Sequence, residues 1–449
     1  MQPQEIICEF FPASEQTLHI GGLSVEQLAE RFGTPLFIYD ESVLRRKWNL
    51  LRSTFPSAFN IHYSVKANPN PNLIAFFLEQ GAGVEIASAG ELQLALEASC
   101  PPHRILFAGP AKSPAELELA LRTKIGEIHA ESLTELTRIA DIAERLGQVA
   151  PVALRINPAS EAQGGAMRMG GKATPFGIDE ESLDRALDFV LASASIELRG
   201  MHLFAGTQIL DSEVLLFQYR KGIQIARRIA ERQKHALHTV DFGGGLGVPY
   251  FSSDQPLGMD RLRQGLDELM NEIVDDLLFA GTRFIIEPGR FLVAEAGIYL
   301  TRVLDVKVSR EKTFVIVDGG MNHHLAASGN LGQTIKRNFP IVIANRLQEA
   351  ECGTVEIVGP LCTPLDVLAR SLSAPMVEVG DLVAVLQSGA YARSASPLGF
   401  LSHPSPPEVL VAEHDARLIR RRGSASDYLH DVETAYRGAA ANGHTVGRT

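Results

Sequence analysis

The residues best suited to chemistry in this chain stand at the ends of short apolar segments. "IHYSVKANPNP", Ile61–Pro71, runs a strand-like segment straight into Lys66. Glu85 lies within "GVEIAS" and Arg155 within "PVALRINP". "RGMHLFAGT" supplies His202 and Phe204, "HTVDFGGG" ends in Gly243, Gly244 and Gly245, and "RFIIEPGR" carries Glu287 and Arg290. A lysine amine forms an imine with a carbonyl. Successive glycines let backbone N–H groups approach an anion closely, and an arginine adds a charged donor. A separate carboxylate keeps a pyridine nitrogen protonated, so that the ring accepts electrons. Together these are the parts that hold pyridoxal 5'-phosphate. Singly each has a plainer explanation: a solvated strand-end lysine, a tight glycine turn, a hydrogen-bonded buried histidine.

The elements that must position these groups follow from periodicity. Eight short, mostly apolar runs between residues 59 and 290 each precede a stretch with apolar residues at three- and four-residue spacing. Eight such pairs predict a closed (β/α)8 TIM-like barrel, with an open doubly wound sheet as the alternative. Active sites of such barrels lie at the C-terminal ends of the strands, where the residues above fall. After Ala296 the texture becomes β-rich, and a C-terminal all-β domain is expected over 296–430. Residues 41–295 are then the barrel, 1–40 an N-terminal segment adding a strand ("LFIYD") to the β-domain, and 431–449 a fraying tail. The chain has 449 residues and a formal net charge of -11, which argues against nucleic acid or an anionic membrane as partner. Its four cysteines show neither disulfide nor metal-ligand spacing, so no metal is expected. No apolar run reaches spanning length and "MQPQEIICEF" is unlike a signal peptide, so a cytoplasmic protein is expected.

Read together, "YSVKANP", "GVEIASAGEL", "HLFAGTQ", "DFGGGLG", "EPGR", "GPLCTPLD" and "SGAYARSASPLGFL" resemble the fold-type III pyridoxal-phosphate decarboxylases, the family of diaminopimelate and ornithine decarboxylases. The resemblance runs from Tyr63 to about Leu401. It implies an alanine-racemase-like barrel plus β-domain and a homodimer with shared active sites. By position it implies Lys66 as the Schiff-base lysine, Gly243–Gly245, Arg290 and Tyr391 as phosphate contacts, and Glu287 as partner of the pyridine nitrogen. Glu85, Arg155, His202 and Phe204 complete the implied cofactor site. Cys362 of "LCTPLD" is implied as the catalytic acid donated by the other subunit, with His202 assisting near the ring.

Three departures bear on substrate. The family's ring-stacking histidine, two residues before the glycine of "HLFAGTQ", is here Phe204. The acidic residue that diaminopimelate decarboxylases carry after the cysteine is here Thr363. After "VDGGMN" the chain reads "HHLAASGN", opening with His323 and His324 where those enzymes continue toward an arginine and a tyrosine. Thr363, Asp366, His323 and His324 are therefore the candidate substrate contacts. The segments "RINP", "AMRMGG", "FGID" and "LSHPSP" look more like a specialised branch, which includes the glutamyl-acyl-carrier-protein decarboxylase and exosortase-associated and siderophore-pathway enzymes. The expected function is decarboxylation of an α-amino acid with a masked or carrier-tethered distal end. Alternatives are diaminopimelate decarboxylase of lysine biosynthesis, a siderophore-pathway decarboxylase, and an amino-acid racemase, against which Cys362 argues.

Overall fold

The computed structural model describes residues 2–159, 167–168, 173–204 and 206–433. The expected tail beyond 433 and most of "AMRMGG" lie outside the described residues. Eight parallel strands close on themselves: β1 (Phe59–Ser64), β2 (Gly83–Ile86), β3 (Ile105–Phe107), β4 (Glu127–Ala130), β5 (Ala150–Asn157), β6 (Ile196–Leu203), β7 (Thr239–Asp241) and β8 (Arg283–Ile286). Pairing of Phe284 with Phe59 and of Ile128 with Val152 joins the ends of the run, so the sheet is a barrel and the open-sheet alternative is excluded. The helices between strands bury one stripe. Leu183, Ala186, Leu187 and Val190 of Leu183–Ala192 are typical, at three- and four-residue spacing.

Part of the barrel interior is polar. Thr239 of β7 donates its hydroxyl to Glu127 of β4 at 2.9 Å, across strands that are not neighbours. The rings of His129 (β4) and His202 (β6) lie 4.5 Å apart. Barrel cores are ordinarily filled by branched apolar side chains, so a polar interior costs desolvation and calls for a use.

The second sheet is organised by the long strand Gly297–Ser309. It pairs antiparallel with Lys312–Val317, Leu382–Val385 and the N-terminal strand Leu36–Asp40. Leu36–Asp40 also pairs in parallel with Glu408–Ala412, so residues distant in sequence share this sheet. Immediately after the N-terminal strand, Asp40 caps the helix Glu41–Thr54 by accepting from Ser42 N–H at 2.8 Å. From that helix Lys47 forms a buried ion pair with Glu295 and sits 3.8 Å above the Phe291 ring. These contacts fix the one-turn helix Arg290–Val293, and with it Arg290, at the barrel mouth.

Candidate active site

Lys66 sits in a 3-10 turn, Val65–Ala67, at the C-terminal end of β1. Its Nζ lies 2.9 and 3.0 Å from the two oxygens of Glu85, on β2. Glu85 is buried and also accepts from Ser64 Oγ at 2.5 Å, so the lysine is anchored from below. The lysine side chain is 44% exposed and opens to the mouth. Burial pulls the Lys66 pKa down, but the charges of Glu85, Tyr391 and Glu287 outweigh it, and the net shift is upward.

The carboxylate of Glu287 follows β8. Its Oε2 is 3.4 Å from His202 Nε2 and its Oε1 4.0 Å from His129 Nδ1. Burial and then the Arg155 cation hold His202 well below its ordinary pKa, so it is neutral at physiological pH. His129 is likewise depressed, first by burial and then by His202. His129, His202, Asp241 and Glu287 each place one ligand-type atom within 4.8 Å of the others.

The glycine turn follows β7. Gly243 and Gly245 have φ of +67° and +102°, a region that favours glycine. A Cβ on Gly244 would stand 2.5 Å from the Glu287 carbonyl oxygen. The turn is therefore pressed onto the end of β8, and only glycine fits. The Gly243 N–H is donated to Asp241 Oδ1 at 2.8 Å, so its contribution is conformational and the expectation of an anion-binding N–H at Gly243 is corrected. No helix dipole follows directly either. Residues 248–258 intervene before the helix Met259–Ile273, and from them Tyr250 OH accepts from Arg290 Nη1 at 3.2 Å. The guanidinium of Arg290 also lies 4.6 Å from the Tyr391 ring, and Tyr391 N–H donates to Ala67 O at 2.8 Å. Lysine turn, glycine turn, Arg290 and Tyr391 thus share one mouth.

Arg155, at the end of β5, is held by Glu131 at 2.7 Å and lies 5.9 Å from the Phe204 ring. Phe204 packs on the glycine turn, 2.8 Å from where a Gly243 Cβ would be. It offers an apolar face where the sequence comparison expected a histidine.

Three of the expected substrate contacts face elsewhere. Asp366 is buried and accepts from Met321 N–H at 2.6 Å and Leu361 N–H at 2.9 Å, so its carboxylate is used inside the β-domain. His323 is buried against Tyr299, whose hydroxyl is 3.0 Å from Nδ1. His324 is buried, with Nε2 3.0 Å from Ser388 Oγ and Nδ1 accepting from Ala327 N–H. All three were expected as binding groups from their place after the motifs; hydrogen bonding within the β-domain accounts for them instead. Cys362 is exposed and Thr363 partly exposed, in a turn closed by Thr363 N–H to Leu361 O at 2.8 Å.

Burial depresses the His324 pKa to about 3. Its unfolded value is the higher one, so stability is present above about pH 6.5 and drains as pH falls toward the folded value. Between pH 6.5 and 5.5 the wild type should lose about 1 kcal/mol more than His324→Gln, by urea unfolding at both pH values. Equal losses would show that His324 is not buried neutral.

His129, Asp241, Glu131 and Ser64 escaped the reading of the sequence. The signal was present as single polar residues inside apolar strands, but it does not say which strands they face across the barrel.

A lysine tethered by a buried carboxylate, a cradle no Cβ could enter, and the second buried carboxylate of Glu287 fit pyridoxal phosphate. Residues 41–294 match the family model "Pyridoxal-dependent decarboxylase, pyridoxal binding domain". The chain is 40% identical over 415 residues to the L-glutamyl-(BtrI acyl-carrier protein) decarboxylase of Niallia circulans, covering 92% of this chain and 96% of that protein. It is 33% identical to the diaminopimelate decarboxylase of Aquifex aeolicus, over 95% of this chain and 98% of that one. The crystal structure of diaminopimelate decarboxylase from M. jannaschi superposes with a TM-score of 0.86 at 28% identity, covering 94% of this chain and 97% of that chain. The lysine, the glycine cradle and the buried carboxylate thus occur on a chain that matches these enzymes along nearly its whole length, and it belongs to the pyridoxal-phosphate-dependent amino-acid decarboxylases of fold type III.

Proposed function

We propose that this decarboxylase acts on an α-amino acid whose distal end is masked, by tethering to an acyl carrier protein, and that it works as a homodimer with shared sites. The observation that carries the substrate reading is the turn after Cys362. Its first residue is Thr363, and Asp366, three residues on, is committed to two backbone N–H groups. A free distal ammonium entering there would lose water and meet no carboxylate from this turn. The 40% identity to a protein named for a carrier-bound glutamyl substrate supports the same reading, against 33% to a diaminopimelate decarboxylase.

When bound, the pyridoxal ring accepts the electron pair left as carbon dioxide departs. Lys66 would hold the cofactor covalently through its amine. Glu287 keeps the ring nitrogen protonated, and neutral His202 stands beside that carboxylate. The glycine turn after Gly243, with Arg290 and Tyr391, would hold its phosphate. Phe204 and Arg155 would wall one side of the site. The proton for Cα would come from the Cys362 thiol. Among the described residues, Lys66 Nζ is held by Glu85, whereas the turn of Cys362 hydrogen-bonds within itself and to Met321. That supports delivery of the thiol from a second copy.

The test is carbon dioxide release across free and carrier-tethered amino acids. A tethered glutamyl substrate should exceed free meso-diaminopimelate in kcat/KM by roughly a hundredfold or more. Turnover of free meso-diaminopimelate at ~10⁴ M⁻¹s⁻¹ or above would return the chain to lysine biosynthesis.

A further inference from the structure

Beneath Glu287 the barrel holds a second buried carboxyl group that the chemistry above does not use. Asp241 is fully buried at the end of β7. Its Oδ1 accepts from Gly243 N–H at 2.8 Å, the first residue of the glycine turn. Its Oδ2 has no hydrogen-bond partner among the described residues, and neither has Oε1 of Glu287. The two carboxyl groups belong to the cluster whose ligand-type atoms lie within 4.8 Å of one another. The other described groups of this cluster supply no positive charge to Asp241. His129 Nε2 is 4.0 Å from Oδ2, and the ring is neutral. Glu127 is a third acid and Tyr219 a buried phenol. Two adjacent carboxylates without a cation between them cannot both be ionised in so dry a place.

We propose that Asp241 is a positioning residue, a neutral carboxylic acid that donates its proton in a hydrogen bond to Glu287 and ties that carboxylate to the glycine turn. Oδ1, fixed as an acceptor by Gly243, leaves Oδ2 as the protonated oxygen. Glu287 then stays ionised toward the ring nitrogen. One side chain thereby sets the phosphate end and the nitrogen end of the cofactor site in register. Burial first, and then the charge of Glu287, hold the Asp241 carboxyl well above the usual range, in the direction this arrangement requires. The consequence for the cofactor rests on the decarboxylase assignment. The protonation state of Asp241 does not depend on the substrate, so failure here is distinguishable from failure of the carrier-tethered reading.

The experiment compares cofactor-loaded wild type, Asp241→Asn and Asp241→Ala. Asparagine reproduces the neutral acid, with one acceptor for Gly243 and one donor for Glu287. Asp241→Asn should keep kcat within about threefold of wild type, and the ring-nitrogen resonance of 15N-labelled cofactor should not move. Asp241→Ala should lose roughly tenfold to a hundredfold in kcat, release cofactor more readily and shift that resonance. The infrared difference spectrum of wild type minus Asp241→Asn should show a positive carbonyl band of a protonated carboxylic acid. The proposal is overturned if Asp241→Asn matches Asp241→Ala in rate and resonance, because Asp241 would then act as a charge. It is also overturned if Asp241→Ala leaves rate and resonance unchanged, or if the difference spectrum of wild type minus Asp241→Asn shows no carboxylic-acid band. The last comparison needs no alanine variant, so it stands even if Asp241→Ala does not fold.

Discussion

Lys66→Ala should abolish covalent cofactor retention and lower kcat on the order of 10⁴-fold or more, as loss of a covalent nucleophile typically does. Borohydride treatment followed by peptide mass analysis reads the first effect directly. Wild type should yield one cofactor-modified peptide containing Lys66, and the variant none. Stability should respond much less. Glu85 keeps the Ser64 hydroxyl at 2.5 Å, and the 44% exposure of the lysine lets water reach the space it leaves. A fall of about 1–2 kcal/mol is expected, below the cost of breaking a fully buried pair. Lys66→Arg separates charge from chemistry, because it preserves the ion pair with Glu85 but forms no such bond. It should therefore be as inactive as Lys66→Ala yet nearer wild type in stability. A borohydride-fixed peptide from the alanine variant would remove Lys66 from its role, since another lysine would then be carrying the cofactor.

The candidate site was legible wherever its residues are written along one strand. Lys66, Glu287 and the glycine run sit at strand ends, and eight strand–helix periods place those ends on one rim whatever the details of packing. Contacts across the barrel were not legible. That His129 meets Glu287 and Asp241 depends on stagger between strands that are not neighbours, and periodicity along a chain carries no such information. The same limit misplaced Asp366, His323 and His324. Nothing in "HHLAASGN" or "GPLCTPLD" says that these polar side chains turn inward. Only the pairing of backbone N–H groups with Asp366, and of Tyr299 and Ser388 with the two histidines, decides it. The turn after Gly245 failed for a related reason. A strand, a glycine run and a later helical pattern read as one phosphate-binding unit, whereas residues 248–258 bring Tyr250 to Arg290 instead.

Mixing two inactive proteins should restore activity. Lys66→Ala lacks the cofactor lysine and Cys362→Ala lacks the thiol, so each homodimer would be defective at both sites. In a heterodimer, a site that joins the Lys66 of one copy to the Cys362 of the other is intact, and its counterpart carries both lesions. Statistical exchange of equal amounts makes about half the dimers hetero, so about a quarter of wild-type activity should return. This outcome is expected because the thiol is exposed on a β-domain turn, while Lys66 is held by Glu85 and opens at the barrel mouth. A cysteine acting within its own chain makes a different prediction. The heterodimer's one intact lysine would then be paired with alanine, and its one intact cysteine with a chain lacking the lysine, so no activity should appear. Subunit exchange must be verified separately, by mass-tagging one parent. Exchange without recovery would place the donor within one chain or assign the proton to another group.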